Sequence, residues 1–198
     1  MSLWSMNRRH SRLTDWGLEH VAVRPRDVIL DVGCGGGRTV SKLATMAREG
    51  KVYGVDIAPA AAAYARKNNR EWIESGGVAI VLAPVQALPF PSKTFDLVTA
   101  VETHFWWEDL GGGLREIARA LKPGGRLLII AEFYNGGRHA RYAARLSQLS
   151  GMASLTSDEH GAALADAGFT HVVVDEDAPK GWLSVLGERA ASTSSGAR

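Results

Sequence analysis

The stretch Val28-Ile-Leu-Asp-Val-Gly-Cys-Gly-Gly-Gly-Arg-Thr-Val40 constrains this chain more than any other. Val28, Ile29, Leu30 and Val32 form an apolar, largely β-branched run that predicts a buried strand, and Gly33, Gly35, Gly36 and Gly37 end it sharply. A helix is expected at once, because Val40, Leu43, Ala44 and Ala47 recur at i, i+3, i+4 and i+7 while Thr39, Ser41 and Arg48 take the opposite face. Strand, glycine turn and helix in that order bring backbone N–H groups and a helix N-terminus to an anionic or nucleotide-like ligand.

Glycine spacing narrows the ligand. A dinucleotide fingerprint needs Gly-x-Gly-x-x-Gly, but counted from Gly33 the sixth position is Arg38, whose side chain opposes close packing of helix on strand. The pattern present is Asp31-x-Gly33-x-Gly35-x-Gly37. It resembles that of the class I S-adenosylmethionine-dependent methyltransferases. The run Leu114-Arg-Glu-Ile-Ala-Arg-Ala-Leu-Lys-Pro-Gly-Gly-Arg-Leu-Leu-Ile-Ile130 is similar to the same family, as is, less specifically, Met6 to Gly17.

Six further runs alternate with helical patterns in the manner of a parallel sheet. Lys51–Val55 predicts a second strand, Val78–Leu82 a third, Lys93–Val101 a fourth and Arg126–Ala131 a fifth. Helices are expected from Pro59 to about Glu74, across Leu114, Ile117, Ala118 and Leu121, and after the capping-box pattern Thr156-Ser-Asp-Glu159 as far as Gly168. Thr170–Glu176 and Gly181–Gly187 read as two last strands separated by Asp177 to Lys180, too short for a parallel crossover, so an adjacent pair must run antiparallel. The fold expected is α/β, a doubly wound, mostly parallel seven-stranded sheet with a C-terminal antiparallel hairpin and helices on both faces.

With 198 residues, 45% of them hydrophobic, the chain suits one ordinary domain with a full core. Residues 1–26 are expected to form an N-terminal helical cap on the ligand edge, 27–189 the methyltransferase domain, and 190–198 a disordered tail. A net charge of +2, with Lys and Arg scattered, does not demand nucleic acid as a partner, and no apolar run is long enough to span a membrane. The single cysteine, Cys34, rules out an intramolecular disulfide and a multi-cysteine metal site, so no metal is expected. A cytoplasmic location is expected.

Asp56 stands 19 residues after Gly37 at the end of the second expected strand, where a carboxylate can accept from both hydroxyls of a ribose. It can equally cap the helix that Pro59 opens. The resemblance implies S-adenosylmethionine as cofactor, held by Asp31, Gly33, Cys34, Gly35, Gly37, Asp56, Ile57, Val85, Gln86 and Glu102. In that family an acid before Leu-Pro-Phe accepts from the adenine amino group, and here Pro84 holds its place, leaving Val85 backbone groups and the Gln86 side chain.

Methyl transfer from a sulfonium is an in-line displacement that requires alignment, exclusion of water and, for some acceptors, removal of a proton. It needs neither a metal nor a covalent nucleophile, which fits the lack of a Ser-His-Asp pattern. Glu102 and His104, after the fourth strand, are the candidate catalytic groups, although a lone histidine beside Phe105, Trp106 and Trp107 also suits a structural role. His10, Trp16, Trp106 and Tyr134 are the candidate substrate contacts, with surface or packing roles equally open. Base-flipping amino methyltransferases carry Asn or Asp, two prolines and an aromatic where this chain has Val101-Glu-Thr-His-Phe105, which disfavours nucleic acid and favours a small-molecule acceptor. A nicotinamide-dependent oxidoreductase and a cofactor-binding module without turnover are the alternatives.

Overall fold

A computed structural model describes residues 3–191, with the backbone alone for residues 3–10, 146 and 150. The elements in chain order are α1 (Leu3–Leu18), β1 (Val28–Val32), α2 (Arg38–Met46), β2 (Lys51–Asp56), α3 (Pro59–Asn68), α4 (Arg70–Glu74) and β3 (Val78–Leu82). They continue with β4 (Phe95–Val101), α5 (Leu110–Ala120), β5 (Leu121–Ala131), α6 (Ala140–Ser150), α7 (Ser157–Asp166), β6 (Phe169–Asp177) and β7 (Trp182–Arg189). Short 3₁₀ turns at Val85–Ala87 and His104–Trp106 follow β3 and β4.

Period-two alternation along the strands decides the layering. In β5, Leu127 and Ile129 join the core that holds Leu114 and Ile117 of α5 and Leu164 of α7. Leu128 and Ile130 point the other way, into the core of Leu13, Val40, Leu43, Ala62 and Ala65 from α1, α2 and α3. Both faces of the strand are therefore buried, which accounts for a near-continuous apolar run. The strand order is β3-β2-β1-β4-β5-β7-β6, with β1 to β5 parallel and β7 antiparallel to both β5 and β6. The hairpin required by the short link at Asp177 to Lys180 is present.

Several element boundaries differ from those the sequence predicts, three of them for a local reason: the break at Asn69 and the starts of β5 and β4. The N-terminal segment is one helix, and Gly17 lets it lie against β5, because a Cβ there would stand 2.3 Å from Ile130 Cδ1. The helix expected over Pro59–Glu74 breaks at Asn69, whose side chain bonds backbone outside the helix. β5 begins at Leu121 rather than Arg126, with an irregular register against β4 between Phe95 and Leu97 that absorbs Pro123 to Gly125. β4 begins at Phe95 rather than Lys93, because Lys93 has a φ of 61°, outside the extended region. Most of the tail expected over 190–198 lies outside the described residues.

Candidate functional site

The order reverses between β1 and β4, and open α/β sheets bind ligands at the carboxyl ends of strands beside such a point. Two cavities meet there. One, of about 580 Å³, is lined by Asp56 and Ile57 after β2, Ala83 to Gln86 after β3, and Glu102, Thr103, Trp106, Trp107 and Glu108 after β4. The other, of about 440 Å³, is lined by the turn from Gly33 to Gly37 with Thr14, Asp31, Tyr64 and Asn68. Gly33 and Glu102 line both cavities and so mark where they join.

The glycine turn is shaped by needs a side chain would defeat. Gly33 has a φ of 67°, and a Cβ on it would stand 2.0 Å from Thr103 Oγ1, so only glycine lets the loop after β4 approach. Gly35 has a φ of 52° and open space where its Cβ would be. The turn is tied down from two sides, the tip of β2 and the end of α3. Its Cys34 N–H donates to Val55 O at 2.9 Å, and Gly35 N–H donates to Asp56 Oδ2 at 2.8 Å. Asn68 and Asn69 donate from Nδ2 to the carbonyls of Gly36 and Gly37, each at 2.9 Å.

Asp56 also accepts from Ala58 N–H through Oδ1 at 2.9 Å, so each oxygen takes one backbone donor and retains capacity for another. The N-cap of α3 is Ala58, with no side-chain cap, so Asp56 stabilises the approach to the helix and does not cap it. Asp31 lies beneath the turn, 2% exposed, and accepts from Thr99 Oγ1 at 2.7 Å across the β1–β4 register pair. Burial pushes its carboxyl up from 3.8 to about 7, partly opposed by that hydrogen bond. Burial likewise pushes the Cys34 thiol up, which disfavours the thiolate at this edge of the second cavity.

Glu102, at the tip of β4, has a φ of 54°, an uncommon conformation for a residue with a side chain. Its Oε1 accepts from the backbone N–H of Glu132 after β5, which aims the loop across the site. Trp106 is 55% exposed on the wall of the larger cavity, while Trp107 packs against Gly113 at the start of α5.

Several other expected site residues are not brought together here. His104 is fully buried and lines neither cavity, because its ring turns away to His160 with the two Nε2 atoms 2.8 Å apart. Tyr134 is 1% exposed, lines neither cavity and donates its hydroxyl to Glu176 of β6 at 2.9 Å. Trp16 packs on Trp182 and His20 between α1 and the sheet. The His10 side chain lies outside the described residues. Conversely, Thr14, Tyr64, Asn68, Thr103 and Glu108 line the cavities without having been singled out in the sequence. Among the described residues no group of three or more His, Cys, Asp or Glu side chains could hold a metal ion, and no helix is long and apolar enough to cross a membrane.

The family model described as a methyltransferase domain matches residues 30–129, from within β1 to within β5. The chain belongs to the methyltransferase domain family. That membership selects among the alternatives left by the glycine spacing and sets aside the nicotinamide reading. Relatives of this methyltransferase domain include an uncharacterized methyltransferase of Bacillus subtilis, 27% identical over 63% of this chain and 66% of its own length. A demethylmenaquinone methyltransferase of Symbiobacterium thermophilum is 38% identical over 58% of this chain and 47% of its own. The chain spans about half the length of the curated relatives it matches. Among solved structures, the methyltransferase domain resembles a Haloferax volcanii complex of the Trm112 methyltransferase activator with its partner at a TM-score of 0.81 and 22% identity, covering 94% of this chain and 92% of that one. A geranyl diphosphate methyltransferase solved with S-adenosylmethionine aligns at a TM-score of 0.74 and 18% identity, covering 91% of this chain and 85% of the other. Likeness at that identity shows the shared fold.

Proposed function

We propose that this chain is an S-adenosylmethionine-dependent methyltransferase acting on a small-molecule acceptor. The observation that carries the reading is the Asp56 carboxylate at the β2 tip, hydrogen-bonded to Gly35 in a turn that lines two joined cavities. Its free acceptor capacity suits the two hydroxyls of a ribose, and the open space at Gly35 suits close approach of a ligand to backbone.

The residues present fit the methyl donor. Asp56 would hold the ribose, the backbone of Val85 with the Gln86 amide would hold the adenine edge, and the Gly33 to Gly37 turn with Asp31 would hold the amino-acid portion. When bound, the sulfonium supplies a methyl carbon already activated toward displacement. The chain contributes alignment and a dry wall from Trp106 and Trp107. Glu102 is the carboxylate placed where the two cavities join, and it would take a proton from an acceptor that must lose one. Relatives named as acting on demethylmenaquinone and 27-O-demethylrifamycin SV support a small-molecule acceptor.

Isothermal titration with S-adenosylmethionine, its demethylated product and NAD tests the reading. Saturable binding of the first two, and none of NAD, is expected. Absence of binding by either sulfur compound overturns it, and methyl transfer to any acceptor separates an enzyme from a binding module.

A further inference from the structure

His104 opens the 3₁₀ turn that carries the cavity wall, and His160 sits on α7, the helix packed on β6. The His160 Nδ1 lies 2.7 Å from the carbonyl oxygen of Thr156, the residue that caps α7. A carbonyl only accepts, so in a neutral ring Nδ1 of His160 bears the hydrogen and its Nε2 is bare. The contact between the two Nε2 atoms then requires the hydrogen on His104. His104 Nδ1 is left as a lone pair, and it is one of two buried side-chain polar atoms without a partner among the described residues. One tautomer on each ring satisfies the pair, and no other does as well.

The surroundings keep both rings uncharged. Phe105 and Trp107 flank His104 with ring centroids 5.1 and 6.4 Å away, while at His160 the Thr156 carbonyl and the Glu159 carboxylate favour the charged ring and are outweighed by burial. Desolvation lowers the tendency of either ring to take a second proton.

We propose that His104 and His160 are positioning residues whose single directed hydrogen bond braces the Thr103–Trp107 turn against α7 and so preforms the wall of the ligand cavity. Thr103, Trp106 and Trp107 line that cavity, whereas neither histidine does, so the pair acts through them. The inference rests on the proposed methyl-donor reading only for its probe.

Three variants of the full chain test it: H160L, H160Q and the double variant H104F/H160L. S-adenosylhomocysteine affinity is measured at a temperature where each is folded, alongside indole ¹⁵N–¹H signals of Trp106 and Trp107 and imidazole ¹⁵N shifts. H160L should weaken binding about tenfold, the scale of one hydrogen bond, and broaden both indole signals. H160Q, with an amide oxygen in place of the bare Nε2, should return the affinity to within about threefold of the parent. The double variant should regain thermal stability, since both polar partners are gone, yet keep the weak affinity. Parent-like affinity and sharp indole signals in folded H160L overturn the proposal, as do the opposite tautomers. Should H160L not fold, the same parent-like result in the double variant overturns it. If the parent chain itself does not bind the probe, the methyl-donor reading fails, and the indole and imidazole spectra still decide the brace.

Discussion

The Asn69 side-chain nitrogen stands 2.9 Å from the carbonyl oxygens of both Gly37 and Ala65, and 2.4 Å from where a Cβ on Gly37 would be. A break in the helix over Pro59–Glu74 thereby becomes the clamp on the ligand turn. Asn69 is 1% exposed, and its loss removes the second donor from each carbonyl, leaving Gly37 O with Ser41 N–H and Ala65 O with the residue 69 backbone N–H. Asn69→Leu should cost about 1–3 kcal/mol in a denaturant titration and weaken methyl-donor binding with it. Asn69→Asp should do no better, because an ionised carboxylate cannot donate.

Gly33→Ala should fail more completely than Gly35→Ala. Both positions have positive φ, but a Cβ at Gly33 would overlap Thr103 Oγ1 at 2.0 Å, whereas at Gly35 it meets nothing within 4 Å. Residual donor binding in Gly35→Ala and none in Gly33→Ala, with melting temperatures reported alongside, is the expected pattern.

Asp56→Ala removes acceptors from Gly35 N–H and Ala58 N–H at a half-buried site. Donor affinity should drop about 10- to 100-fold, the range for charge-assisted bonds to a ligand, with a smaller effect on stability. Titration calorimetry of S-adenosylhomocysteine against parent and variant checks this.

Binding of a ligand bearing an ammonium group near Asp31 should release a proton around neutral pH. The folded carboxyl titrates at about 7 against 3.8 when solvated, so its contribution to stability is full below 3.8 and is lost as pH rises through about 7. A cation favours the ionised form, so affinity should rise with pH across roughly 5 to 8 and level off above. Calorimetry in buffers of different ionisation enthalpy reads the released proton, and Asp31→Asn should flatten the dependence.

The two buried histidines act in the opposite direction on acidification. Their pKa values are lowered from 6.5 in the folded chain, so below 6.5 the unfolded chain binds more protons and stability falls with falling pH. Each such group adds a slope of up to about 1.4 kcal/mol per pH unit. Urea titrations between pH 7 and 5 should show the loss, and H104F/H160L should reduce it.

The glycine turn was legible in the sequence because its constraint is local: positive φ at Gly33, Gly35 and Gly37 leaves few other residues possible there. Asp56 was legible because strand length and turn spacing fix where a strand ends, and the hairpin because a few residues between Asp177 and Trp182 permit one direction only. The Thr156–Glu159 capping box formed as its four residues require. Asn68 and Asn69 left a weak signal, poor helix formers within a helical stretch, but nothing told which carbonyls they would reach.

From sequence alone, then, came the strands and the backbone cradle, since these depend on dihedral preferences and on periods of burial within short windows, whereas the strand order was decided by long-range pairing. Tertiary packing alone decided that His104, Tyr134 and Trp16 turn away from the cavities while Thr103, Tyr64 and Asn68 face them. A side chain after a strand tip points wherever a partner satisfies it, and the partners here, His160 for His104 and Glu176 for Tyr134, lie 56 and 42 residues further along the chain.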